Sequence, residues 1–112
     1  MKVTYYPNRG DIVMLDFDPQ SGHEQAGRRP ALVLSPRDYN RKIGLMLCCP
    51  ITNQRKGYPF EVPLSGGQTT GVVLADHLKS VDYHARGAKY KERASPEALA
   101  DVIAKFLPLI AD

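Results

Sequence analysis

Ser95-Pro96-Glu97-Ala98-Leu99-Ala100-Asp101-Val102-Ile103-Ala104-Lys105-Phe106-Leu107-Pro108-Leu109-Ile110 is the stretch on which the fold turns. Ser95 carries the short oxygen-bearing side chain suited to an N-cap, and Pro96 has its φ preset for the first helical position. Glu97 puts an anion in the first turn, where the helix dipole favours it. Leu99, Val102, Ile103, Phe106, Leu107 and Ile110 then recur at the three-and-four spacing of one helical face. The reading is a helix from Pro96 that Pro108 ends or kinks, because a proline ring clashes with the preceding turn. Its apolar stripe faces a core or a second copy of the chain. No upstream stretch has this period as strongly, so the chain carries its one strong helix last.

Upstream of this helix, the body reads as strands. After a Gly10-Asp11 turn, Ile12-Val13-Met14-Leu15-Asp16-Phe17 is a short apolar run, and Pro30-Ala31-Leu32-Val33-Leu34-Ser35 is another. Between them runs a polar, glycine-containing loop from residue 18 to 28, long enough to suggest a working part rather than a connector. Pro36 to Gly44 predicts a turn with one helical turn. Leu45-Met46-Leu47-Cys48-Cys49-Pro50-Ile51 reads as a third strand, stopped or bulged at Pro50. Phe60-Glu61-Val62-Pro63-Leu64 alternates like an edge strand, Val72-Val73-Leu74-Ala75 begins a further one, and Leu78 to Tyr83 alternates again. Strands first and a helix last predict an α+β, mainly β class: a small SH3-like barrel or strongly curved antiparallel sheet with a C-terminal helix packed on it. A chain of 112 residues has room for one core, so residues 1–112 are expected to form a single domain.

Charge and composition narrow the functions. The apolar fraction of 43% and the charged fraction of 24% argue for a folded rather than a disordered chain. The first 94 residues hold fourteen Lys and Arg against nine Asp and Glu, whereas the last eighteen hold one Lys against three acids. The basic body suits an anionic partner, nucleic acid or an acidic protein tail. Met1-Lys2-Val3-Thr4-Tyr5-Tyr6-Pro7 lacks the apolar run of a signal peptide, and no stretch is long and apolar enough for a membrane span, so a cytoplasmic location is expected. Cys48 and Cys49 are adjacent; on a strand they point to opposite faces and cannot share a relaxed disulfide. His23, His77 and His84 lack metal-ligand spacing, Ser65 to Gly71 lacks the lysine of a phosphate loop, and no serine sits in a G-x-S-x-G elbow. No metal or cofactor is expected.

What remains is a polar, partly cationic set. The 18–28 loop delivers Glu24, Gln25 and Arg28 beside Arg29, just before the rigid strand at Pro30. Thr52-Asn53-Gln54-Arg55-Lys56 follows the third strand. If these two strands pair antiparallel, Arg29 and Thr52 lie at one end of the sheet. Such a set suits RNA cleavage without metal, because the RNA's own 2′-hydroxyl attacks and the protein need only take its proton and stabilise the phosphoryl oxygens. Arg29 has the planar fork for phosphate, Thr52 a hydroxyl to donate, and Glu24 a carboxylate to serve as base. The ordinary alternative for such residues is a solvated surface pair.

The ordered motifs sharpen this. Gly10-Asp11-Ile12-Val13 with Asp16-Phe17-Asp18-Pro19, the run Gly22-His23-Glu24-Gln25-Ala26-Gly27-Arg28-Arg29-Pro30-Ala31, Pro50-Ile51-Thr52, Lys56-Gly57-Tyr58-Pro59-Phe60-Glu61-Val62, and Gly71-Val72-Val73-Leu74-Ala75-Asp76 leading to Lys79-Ser80-Val81 together resemble the MazF/PemK (Kid) family of toxin endoribonucleases. The resemblance spans nearly the whole chain. It implies a toxin barrel acting as a homodimer and sequence-specific, metal-independent cleavage of single-stranded RNA, chiefly mRNA. The implied products carry a 2′,3′-cyclic phosphate and a 5′-hydroxyl, and the consequence is arrested translation and growth. It implies Arg29 and Thr52 as catalytic residues, Glu24 as an acid–base group, and a MazE-like antitoxin whose acidic, disordered tail covers the RNA groove. His23, Arg28, Asn53 and His77 depart from the family pattern where bases can be read. Phe17, Gln25, Arg28, Asn53, Lys56, His77 and Lys79 are the expected RNA contacts, with Phe17 offering an aromatic platform. A non-enzymatic CcdB-like gyrase poison on the same fold is the competing expectation, although such toxins end in Trp-Gly-Ile and this chain has no Trp. A degenerate RNA-binding module is the third.

Overall fold

The structure is a computed structural model that describes residues 4–17 and 27–111. Three long strands form its centre: β1 (Asp11–Phe17), β2 (Gly27–Val33) and β3 (Met46–Thr52). Helix α1 (Arg37–Ile43) joins the last two. Short strands β4 (Glu61–Pro63), β5 (Val72–Leu74) and β6 (Lys79–Val81) follow, then β7 (Lys89–Arg93), helix α2 (Pro96–Phe106) and a 3₁₀ turn over Leu107–Leu109. All described pairings are antiparallel, in the order β4-β5-β3-β2-β1-β7, with β6 also on β3. The expected class, mainly β with a C-terminal helix, is what forms.

One edge of β3 serves two partners. Met46, Leu47 and Cys48 pair with β6, whereas Ile51 and Thr52 pair with β5. The changeover falls at Cys49-Pro50, and Pro50 has no N–H to give a ladder. The proline that was expected to stop or bulge the strand instead lies within it, at the point where its neighbour changes.

The central strands are apolar on both faces because both are covered. Ile12, Leu32, Leu34, Cys49, Ile51, Val62, Val73 and Ala75 form one core with Val102 of α2. Val13, Leu15, Phe17, Ala31, Val33, Met46, Cys48, Val81 and Tyr83 form the other. Cys48 and Cys49 are accordingly divided between the two, and burial pushes both thiols up to about 12. The helix α2 starts as read: Ser95 accepts the N–H of Ala98 at its hydroxyl, and the regular helix gives way at Leu107 beside Pro108.

Three elements differ from expectation. β2 begins at Gly27, so Arg28 and Arg29 belong to a strand rather than to the loop before it. α1 is longer than one turn because Asn40, fully buried, anchors it: its Nδ2 donates to the carbonyls of Pro7 and Ser35, and Ser35 Oγ donates to its Oδ1. β7 was not foreseen at all. Its residues, Lys89-Tyr90-Lys91-Glu92-Arg93, show no apolar face, and it is held to β1 by the ladder and by Arg93, whose guanidinium pairs with buried Asp11 at 3.1 Å.

Candidate active site

The β2–β3 register pairs Ala31 with Pro50, Leu32 with Cys49 and Val33 with Cys48. The pairing ends at Ala31–Pro50, and Arg29 and Thr52 lie two residues beyond it at the same end of their strands. Because alternate residues on a strand share a face, both lie on the face of Ala31 and Cys48. The expected convergence of β2 and β3 ends is therefore present. Arg29 is half-buried, and its Nε finds no hydrogen-bond partner among the described residues. A guanidinium so placed has donor capacity left for an anion. Thr52 is buried, and its Oγ1 accepts the N–H of Gln54 at 3.1 Å, which leaves the hydroxyl proton free to donate. Lys79, opposite Cys48 on β6, falls on the same face.

The remaining expected residues divide. Arg28 points to the other face and is already committed: its guanidinium donates to Asp16 Oδ1 at 3.0 Å and to the carbonyls of Met14 and Gly87 at 3.1 and 2.7 Å. It braces the start of β2 against β1 and the 83–87 turn, so its expected role in RNA contact competes with three existing bonds. Phe17 is buried in the second core, and the Lys79 ammonium lies over its ring, 5.4 Å from the centroid. A base cannot stack on that face unless Lys79 moves away; Lys79 itself is exposed. Asn53 and Lys56 are exposed on the chain after β3, and Asn53 Oδ1 accepts the Thr70 hydroxyl at 3.0 Å. The Glu61 carboxylate holds this segment by accepting the N–H groups of Lys56 and Gly57. His77 is exposed, with Nε2 3.7 Å from Asp76 Oδ1. Glu24 and Gln25, with His23, lie outside the described residues.

Further polar contacts involve Tyr58, which the sequence offers as a lesser aromatic candidate, and Asp76 and Glu92, which it does not single out. The Tyr58 hydroxyl donates to Asp76 Oδ2 at 2.5 Å, and that bond to a carboxylate raises the phenol above its ordinary pKa. The other Asp76 oxygen is buried and has no hydrogen-bond partner among the described residues. Glu92 of β7 accepts the backbone N–H groups of Gln68 and Thr69 in the loop that carries Thr70. Nothing in the sequence signals either contact, since each joins residues far apart along the chain. Among the described residues, no three His, Cys, Asp or Glu side chains come together as a metal site. No described helix is long and apolar enough to cross a membrane.

Comparison with known proteins identifies the family and the fold. The chain is 55% identical over 106 residues to the endoribonuclease toxin MazF of Escherichia coli K12, covering 95% of this chain and 96% of that protein. The structure of MazF from Deinococcus radiodurans superposes with a TM-score of 0.89 at 51% identity, covering 96% of this chain and 98% of that one. A MazE–MazF structure from the same organism matches with a TM-score of 0.88 at 51% identity, covering 96% and 97%. Residues 8–110 match the family described as the PemK-like, MazF-like toxin of type II toxin–antitoxin systems, and the chain belongs to that family.

Proposed function

We propose that this chain is a toxin endoribonuclease that cuts single-stranded RNA, chiefly mRNA, at specific sequences and so arrests translation and growth. The observation that carries the reading is that Arg29 and Thr52 lie at the same end and on the same face of adjacent strands β2 and β3, each with a donor unused among the described residues. The endoribonuclease relatives support it and disfavour a gyrase poison. The RNA supplies the nucleophile: its 2′-oxygen bonds to the adjacent phosphorus, the bond to the 5′-oxygen breaks, and a 2′,3′-cyclic phosphate and a 5′-hydroxyl result. Glu24 takes the 2′ proton, and a water molecule supplies the proton that turns the departing 5′-oxygen into the hydroxyl. Arg29 neutralises charge that builds on the phosphoryl oxygens, and the Thr52 hydroxyl donates to the same group. No step calls for a metal. Gln25, Asn53, Lys56, His77 and Lys79 supply contacts to bases and phosphates around that centre.

The enzyme works in the cytoplasm as a homodimer, for which exposed Leu107, Leu109 and Ile110 beyond α2 offer apolar surface. A MazE-like antitoxin with an acidic, disordered tail neutralises it, a reading supported by the MazE–MazF match and the basic body. The test is incubation of pure protein with a mixed-sequence single-stranded RNA in EDTA, beside Arg29→Ala. Wild type should leave cyclic phosphate ends, and Arg29→Ala should be slower by roughly 10²–10³-fold. Equal cleavage by both, or none by wild type, overturns the mechanism. Glu24→Gln should slow cleavage while RNA binding persists.

A further inference from the structure

Thr70 and Glu92 lie on neither of the strands that hold Arg29 and Thr52, yet a chain of polar contacts runs from them to the site. The Glu92 carboxylate reaches from β7 to the loop between β4 and β5. Its Oε1 accepts the N–H of Gln68 at 3.0 Å and its Oε2 that of Thr69 at 2.5 Å. The loop is shaped for this approach, since a Cβ on Gly67 would lie 2.6 Å from Glu92 Oε1. A carboxylate that accepts two backbone N–H groups is a charge-assisted clamp, stronger than neutral hydrogen bonds. At the loop's base Leu64 N–H donates to Gly71 O at 2.9 Å.

The residue after the clamp, Thr70, donates its hydroxyl to Asn53 Oδ1 at 3.0 Å. Asn53 directly follows Thr52. An asparagine amide has one acceptor oxygen and two N–H donors, and left free it can present either side. With its oxygen held by Thr70, the Asn53 amide is fixed in one orientation, its NH₂ donors on the side away from Thr70.

We propose that Glu92 and Thr70 are positioning residues that hold the Asn53 amide as a hydrogen-bond donor toward a base beside the scissile phosphate, so that an acceptor edge is selected there. The proposal rests on the RNA-cleaving function above and assigns one element of its sequence selectivity. Ring nitrogens and carbonyl oxygens of a base are the acceptors such an amide reads, and exocyclic amino groups are rejected.

The test is a panel of single-stranded RNAs in which each nucleotide around the cut is replaced in turn, scored by kcat/KM. Asn53→Ala marks the position whose preference Asn53 sets. Thr70→Val, which removes the hydroxyl at nearly constant shape, should relax preference at that same position by about tenfold, and Glu92→Gln should act in the same direction. Thr70→Ser should restore it. In the free protein, the side-chain NH₂ resonances of Asn53 should shift in Thr70→Val and Glu92→Gln. The proposal is overturned if both variants keep wild-type ratios, or if they lose rate evenly at all positions, as a merely structural role would produce. Unaltered preference in Asn53→Ala overturns it while leaving the nuclease intact, and absence of cleavage by wild type removes both readings. Should Glu92→Gln unfold, Thr70→Val decides.

Discussion

Gly71→Ala separates the close approach that builds the site from ordinary backbone strain. Gly71 has φ +106°, a region L side chains rarely adopt, and a Cβ placed on it would lie 2.4 Å from the Thr52 carbonyl oxygen. It would also lie 2.9 Å from Thr52 C and from Asn53 Oδ1. The nearest obstacle is backbone, which cannot swing aside as a flexible side chain does. Gly71 precedes β5, whose Val72 pairs with Thr52. Relieving the overlap must therefore push the β3 end, with Thr52 and Asn53, away from β5. Left-handed backbone for a residue with a Cβ costs about 1–2 kcal/mol, and displacing packed neighbours adds about 1–3 kcal/mol. A total near 3 kcal/mol is a large share of the ~5–15 kcal/mol that holds an ordinary domain together.

Gly57→Ala is the control. Gly57 also has positive φ, at +78°, but nothing lies within 4 Å of the added atom. It should lose only the conformational part, about 1 kcal/mol. Thermal and urea unfolding by circular dichroism should place Gly71→Ala roughly 10–15 °C below wild type, with Gly57→Ala only about a third as far down. At a temperature where both are folded, Gly71→Ala should also cleave RNA at least about tenfold more slowly, because small misplacements of a catalytic group are costly. Equal destabilisation of the two variants, or wild-type cleavage by Gly71→Ala, would refute the reasoning.

Two further outcomes follow from the packing and electrostatics. Val102 is the fully buried residue through which α2 joins the first core, so Val102→Ala should lower stability by about 2 kcal/mol, read as a fall in urea midpoint at constant slope. Hydrogen bonds from Thr69, and then from the Gln68 N–H, hold the Glu92 carboxyl below its ordinary pKa. A depressed folded value means the stabilisation is complete above the unfolded carboxylate value of about 4.3 and is lost as pH falls through the lower, folded one. Unfolding midpoints measured from pH 7 downward should therefore fall less steeply for Glu92→Gln than for wild type; identical slopes would show that the clamp is absent in solution.

The parts of this molecule legible in the sequence are those in which local pattern and tertiary need coincide. Ser95-Pro96 caps α2 as its composition demands, and Ile12 to Phe17 is a strand because both of its faces are buried. β7 was illegible for the opposite reason: it is an edge strand with little to bury, held by Arg93 on Asp11 and by ladder bonds that leave no periodic trace. For Phe17 the sequence shows an aromatic beside a polar loop, and only the fold shows that it is buried in the second core with Lys79 over its ring. Arg28 and Arg29 are neighbours of the same charge, and a strand, unlike a loop, sends them to opposite faces: Arg28 to Asp16 and two carbonyls, Arg29 to the side of Thr52. The site is thus a consequence of register. Leu32 and Cys49 must enter one core, Ala31, Val33 and Cys48 the other, and a slip of one residue would reverse every side chain on β2. The same slip would exchange the faces of Arg28 and Arg29 and turn Arg29 away from Thr52, so the apolar residues that stabilise the sheet are also what put guanidinium and hydroxyl on one face.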